Sequence, residues 1–301
     1  MRRLLTAAAI LLPLAVAGGG ARAAGETDGG PVGGTMGGPV ERGAYLFNAA
    51  GCLGCHTDEK GGGQPLAGGR ALVTPFGTFH TPNITPDPQT GIGRWSDADF
   101  IRAVREGVRP DGAALFPAFP YASYTRMTDR DLLDLKAYLF SRPAVAAANK
   151  PHELSPPFSW RFLLPAWQWM YLTPGPVPDD PARPAAWNRG RYLVDALGHC
   201  AECHSPRGPL GGLDADRYLA GNPDGPDGDK VPGITGATAK GKGIGGWSDG
   251  DLTLFLEAGL TPDGDVVGGA MGEVVRNTTS KLTADDRAAI AAYLKTVAAK
   301  E

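Results

Sequence analysis

The chain has four cysteines, and they occur as two pairs, Cys52/Cys55 and Cys200/Cys203, each followed at once by a histidine, His56 and His204. Thiols spaced this way can bind zinc, form a redox disulfide or attach a haem. Zinc needs about four ligands in a tetrahedral arrangement, so both pairs would have to close on one ion and leave both histidines without a role. A dithiol of the thioredoxin type follows a β-strand in a βαβ unit, and no strand pattern precedes either pair. Covalent haem attachment uses every residue of the triplet: two thiols add to the two vinyl groups of the porphyrin, and the adjacent imidazole reaches the iron from one face. The spacing predicts two covalently bound haem c groups, held by Cys52, Cys55, Cys200 and Cys203, with His56 and His204 as proximal iron ligands.

Iron that only carries electrons usually has a second axial ligand, commonly a methionine thioether. Met271, in VVGGAMGEVV, reads as a residue of a Gly-flanked loop, poorly placed as core filler and well placed as the distal ligand of the second haem. The aligned position in the first half is Phe119, which cannot ligate iron. Met127 is the best remaining candidate for the first haem; otherwise that iron is five-coordinate or bound by His80, His152 or His199. Each proximal imidazole also needs a carbonyl for its other ring nitrogen. Pro65 and Pro209, in the repeated PLAGG and PLGG segments, are candidates for it. An open first iron would make the protein a haem enzyme, peroxidase-like or an oxidoreductase of small anions. No cysteine remains as an unusual ligand and no nucleophilic or proton-transfer apparatus stands out, so relay of single electrons is the preferred reading.

These residues are placed by a tandem duplication. RGAYLFNAAGCLGCH (42–56) matches RGRYLVDALGHCAECH (189–204), PNIT (82–85) matches PGIT (232–235), and GIGRWSDADF (91–100) matches GIGGWSDGDL (243–252). Each half reads as helices separated by Gly/Pro loops, so the expected fold class is all-α. Ser96 with Asp99 and Ser248 with Asp251 are predicted capping boxes, and Gly107 and Gly259 are predicted to end the helices they open. The last helix of each half should start at Thr128 or Thr283 and present Leu135 and Tyr138, or Ile290 and Tyr293, on one face.

The first residues, MRR followed by an apolar run from Leu4 to Ala17 and small residues at Ala21 and Ala23, read as a secretory signal cleaved after Ala23. The run is shorter than the ~20 residues that span a bilayer. An exported, periplasmic protein is therefore expected. The formal charge of −3 becomes more negative when Arg2, Arg3 and Arg22 are removed, which argues against nucleic acid as a partner. The organisation expected is a signal peptide (1–23), a flexible Gly-rich leader (24–40), a first domain (41–146), a Pro- and aromatic-rich linker (147–187) and a second domain (188–301). The linker holds Trp160, Trp167 and Trp169, and it suits either packing against both domains or a peripheral contact of residues 157–172 with a membrane or a partner.

The helix-crossing residues, Gly43 and Phe47 with Leu135 and Tyr138, and Gly190 with Ile290 and Tyr293, resemble those of class I cytochrome c domains. TPFGTFHTPNITPDPQTGIGRWSDADF, FPAFPYASY and WNRGRYLVDALGHCAECHSPR are similar to the cytochrome c subunits of periplasm-facing alcohol, aldehyde and gluconate dehydrogenases and of some molybdenum hydroxylases. The resemblance spans about residues 41–298. It implies two tandem class I cytochrome c domains, a periplasmic dehydrogenase as electron donor, and a terminal oxidase or small cytochrome as acceptor. Those subunits commonly carry three CxxCH domains, and many have Met where this chain has Phe119.

Overall fold

The computed structural model describes residues 37–236 and 243–298. The expected signal peptide and most of the leader lie outside the described residues. The first half opens with α1 (Pro39–Ala49), followed by the short CxxCH helix α2 (Cys52–His56), then α3 (Asp97–Glu106), α4 (Tyr121–Tyr124) and α5 (Asp129–Phe140). After a connecting segment carrying α6 (Leu164–Tyr171), the second half repeats the plan as α7 (Ala185–Tyr192), α8 (Ala201–His204), α9 (Asp249–Ala258), α10 (Gly269–Asn277) and α11 (Ala284–Leu294). A π-helical turn, Leu193–Leu197, extends α7 toward the second CxxCH.

Local sequence accounts for the helix ends. Ser96 and Ser248 each form a complete capping box with Asp99 and Asp251, and Gly107 and Gly259 close α3 and α9 in the left-handed region at φ 65° and 71°. Thr128 and Thr283 cap α5 and α11 by accepting from the Asp131 and Asp286 N–H groups. The first and last helices of each half then cross where a side chain has no room: a Cβ on Gly43 would lie 1.9 Å from the Asp134 carbonyl oxygen, and one on Gly190 would lie 1.9 Å from that of Ala289. Phe47 meets Tyr138 at this crossing with ring centroids 5.0 Å apart.

The all-α expectation needs one correction. Strands β1 (Ala71–Thr74), β2 (Gly77–His80) and β3 (Glu153–Leu154) form an antiparallel sheet in the order β1-β2-β3, with Leu72 opposite Phe79 and Gly77 opposite Leu154. The strands are short, and their turn, Pro75-Phe76, lacks the Asn-Gly or Asp-Gly signature of a tight hairpin. The third strand comes from the connecting segment, far along the chain. What holds the sheet is a small separate core, Phe79, Phe116 and Leu164 with Leu72, Ala114 and Leu154 packed against it. Arg161 covers that core, its guanidinium 4.4 Å from the Phe116 ring centroid while it donates to the Ala114 carbonyl.

The aromatic segment packs against both halves. Trp167 donates to the Leu210 carbonyl, Gln168 donates to the Glu106 carbonyl, and the Trp167 ring meets Tyr121 edge-on at 5.9 Å. Its outer face is bare: Phe162 is 73% and Trp169 86% exposed. No helix among the described residues is long and apolar enough to cross a membrane.

Candidate haem-binding sites

In the first half, α2 begins after Gly51, whose φ of 64° turns the chain sharply out of α1 and into the CxxCH helix. The chain after it doubles back so that Gly68 N–H donates to the His56 carbonyl, Leu66 N–H donates to Thr57 Oγ1, and Ile84 N–H donates to the Leu66 carbonyl. This ladder brings the Pro82 carbonyl to 2.8 Å from His56 Nδ1. The second half repeats it bond for bond: Gly221 N–H donates to the His204 carbonyl, Leu219 N–H to Ser205 Oγ, Ile234 N–H to the Leu219 carbonyl, and Pro232 O lies 2.8 Å from His204 Nδ1. The carbonyls that orient the imidazoles are therefore those of Pro82 and Pro232, in the PNIT and PGIT repeats, and not those of Pro65 and Pro209. The reversal at positive φ falls on Leu66 within PLAGG in the first half but on Leu219, nine residues beyond Leu210 of PLGG, in the second. The structural counterpart of PLAGG is therefore the YLAG segment, and in both halves the next repeated segment meets the histidine.

Buried Asn83 secures the Pro82 segment. Its backbone N–H donates to Asn149 Oδ1 at 2.7 Å, its Nδ2 donates to Thr90 Oγ1 and the Val145 carbonyl, and its Oδ1 accepts from Thr85.

With Nδ1 donating to a proline carbonyl, each histidine keeps Nε2 free of any hydrogen bond among the described residues. Burial lowers the pKa of both imidazoles against the opposing pull of those carbonyls, so both stay neutral and able to ligate. All four cysteines are free thiols. Burial pushes Cys52 and Cys200 up to about 12 and Cys203 up to about 11, and it also raises Cys55. All four are therefore held as neutral thiols. Among the described residues no group of three or more His, Cys, Asp and Glu side chains is placed to hold a metal ion. Free thiols in pairs, each beside an imidazole with one fixed and one free nitrogen, fit covalent haem at both sites.

On the opposite side the two halves differ. Met271 is half-buried in the first turn of α10, and the expected loop is helical from Gly269 onward. Gly268 supplies the extended entry, and the helix continues through Gly272 to Asn277. Phe119 packs against Tyr124 at 5.5 Å, and Tyr124 Oη donates to the Ala50 carbonyl just ahead of the first CxxCH. Met127 is fully buried, and its carbonyl accepts from Arg105. Of the histidines, His80 Nε2 pairs with Glu153, and His152 accepts from the His80 N–H and packs its ring on Phe79 and Phe116. His80 ends β2 and His152 directly precedes β3. His199 sets its ring edge-on against Tyr124.

Each CxxCH region is contacted by the other domain. Helix α10 packs on α2, and α4 packs on the π turn that leads to the second CxxCH. Ser123 Oγ donates to Glu202, inside CAECH, at 2.9 Å. Sequence reasoning did not find these bridging residues, because nothing local distinguishes them from ordinary surface polar groups.

The cytochrome c family model matches residues 40–142 and 188–298, one domain in each half. The chain is 44% identical over 267 residues to a protein of Cereibacter sphaeroides named diheme cytochrome c-type, covering 88% of each. It is 42% identical over 275 residues to the gluconate 2-dehydrogenase cytochrome c subunit of Pantoea cypripedii, covering 87% of this chain and 60% of that subunit. With a nicotinate dehydrogenase polypeptide of Pseudomonas putida it shares 44% identity over 259 residues, covering 86% of this chain and 21% of that much longer one.

Proposed function

Because this chain belongs to the cytochrome c family and carries the family's domain twice, we propose that it relays single electrons from a periplasmic dehydrogenase to a respiratory acceptor through its two covalently bound haem c groups. The observation that carries the reading is the bond-for-bond repetition of the His56–Pro82 and His204–Pro232 arrangement beside paired free thiols. In it, Cys52, Cys55, Cys200 and Cys203 form the thioethers, and His56 and His204 offer Nε2 to iron. Met271 is the distal ligand of the second haem and Met127 that of the first. The bound group supplies a reversible one-electron couple. The chain's part is to fix the imidazole tautomer and to hold the two attachment segments close together.

The donor is read from the relatives, several of which are named as cytochrome subunits of sugar-acid, sugar and alcohol dehydrogenases. The chain spans 53% to 60% of the length of such subunits, so the donor's substrate is not carried over with the likeness. We place the protein in the periplasm after cleavage at Ala23, with a terminal oxidase or small cytochrome as acceptor. Phe162, Trp169 and Met170 on the 157–172 segment are the residues for a peripheral membrane contact.

Pyridine haemochrome analysis of the exported protein should give two haem c groups per chain, and the reduced form should take up no CO. Rapid CO uptake at the first haem, lost in Phe119→Met, would favour the haem-enzyme reading, and a colourless product would sink both.

A further inference from the structure

Contacts between the two attachment sites converge on Arg70. Its guanidinium donates to the Gly54 carbonyl, inside CLGCH, and pairs with both carboxylate oxygens of Glu273, with Nη2 2.9 Å from Oε2. Glu273 stands two residues after Met271 on α10. Arg70 belongs to the first domain and Glu273 to the second, so one side chain clamps the second domain's distal helix to the first domain's thioether segment. Gly54 permits the approach: a Cβ there would lie 3.1 Å from Glu273 Oε1. The matching residue of the second CxxCH is Glu202, whose cationic partner, Arg207, comes from its own domain. The clamp therefore acts in one direction, from the first domain onto α10.

We propose that Arg70 is a positioning residue for the second haem: it holds α10 in the orientation that keeps Met271 on the iron, and so links ligation at the second site to the integrity of the first. This rests on the reading of Met271 as distal ligand. A bidentate guanidinium suits the task because its planar fork can satisfy a carboxylate and a carbonyl together, which a lysine ammonium does less well. With the clamp cut, α10 keeps its packing on α2 but loses the charged tie beside Met271, and the thioether competes less well against an added ligand.

The test uses the intact dihaem protein, with CO uptake by the reduced form and the thioether-to-ferric-iron charge-transfer band as readouts. Met271→Ala should open one haem to CO and so mark the second site. Arg70→Gln and Glu273→Gln should each raise CO uptake at that same haem by about tenfold and weaken its charge-transfer band, with the double variant no worse than either single one. Arg70→Lys should fall between. Haem content should stay at two, and the first haem should not change. If Met271→Ala opens the second haem while Arg70→Gln lowers only the melting temperature, Arg70 is a structural ion pair and the proposal fails alone. If Met271→Ala leaves CO uptake unchanged, the ligand assignment is wrong and the proposal falls with it.

Discussion

Tyr45 Oη donates to Asp286 Oδ2 at 2.5 Å, joining the first helix of one domain to the last helix of the other. Tyr45 Oη also accepts from the Thr283 N–H. Tyr192, its counterpart in the duplication, does the same in the opposite direction: its Oη donates to Asp131 Oδ2 at 2.6 Å and accepts from the Thr128 N–H. The two halves are thus latched by a reciprocal exchange in which each tyrosine plugs the capped N-terminus of the other domain's final helix. Burial and the Asp286 carboxylate push the Tyr45 phenol up to about 12, so the proton needed for the latch stays in place at neutral pH.

Tyr45→Phe and Tyr192→Phe should each cost about 1.5–3 kcal/mol, because each leaves a buried carboxylate short of a donor. Chemical denaturation would measure the loss. The double variant should in addition split the calorimetric transition into two, since the duplicated domains would then unfold separately.

Gly43→Ala and Gly190→Ala should be far worse than an ordinary helix glycine-to-alanine change, which stabilises by up to about 1 kcal/mol. The added methyl would sit 1.9 Å from a backbone carbonyl oxygen, and only separation of the crossing helices relieves it. A loss of several kcal/mol, or failure to accumulate folded protein, is expected; a neutral result would mean that the helices do not cross as described.

Asn83→Ala should act on one haem and spare the other. It removes the bonds that hold the Pro82 segment against Thr90, Val145 and Thr85, loosening the acceptor of His56 Nδ1–H. A less basic imidazole stabilises ferric iron less, so the first haem's midpoint potential should rise while the second stays fixed. Spectroelectrochemical titration separates the two.

Asp195 gives the pH prediction. It lies under Tyr218 and Tyr293, both of which donate to it, with Arg126 of the first domain 3.8 Å away. Burial raises its pKa, and Tyr218, Arg126, Tyr293 and Arg191 offset that only in part. The folded chain therefore holds this proton to higher pH than the unfolded chain does. Its contribution to stability is full below about pH 4, the ordinary aspartate value, and is lost as pH rises through the folded value. Melting temperatures of Asp195→Asn and the parent should converge below about pH 4 and separate above it, with the variant gaining.

What could be read before folding is clear at particular residues. The caps at Ser96, Ser248, Thr128 and Thr283 and the helix stops at Gly107 and Gly259 formed as their spacing implies, because each is decided within one helical turn. The glycine crossings at Gly43 and Gly190 were legible through the resemblance to class I cytochrome c domains. The strands were not, since β1 and β2 become a sheet only when Leu154 and Leu164 arrive from the connecting segment.

The sequence by itself determined the chemistry of attachment. Two thiols and an imidazole within five residues need no tertiary structure to be adjacent, and the duplication doubled them. Only the fold decided what surrounds that chemistry. The acceptor of His56 Nδ1–H is 26 residues away, that of His204 is 28, the partner of Arg70 is 203 and the partner of Tyr45 is 241. Contacts of that range depend on how whole helices pack, and packing is set by the shape of the complete core, which no local pattern contains.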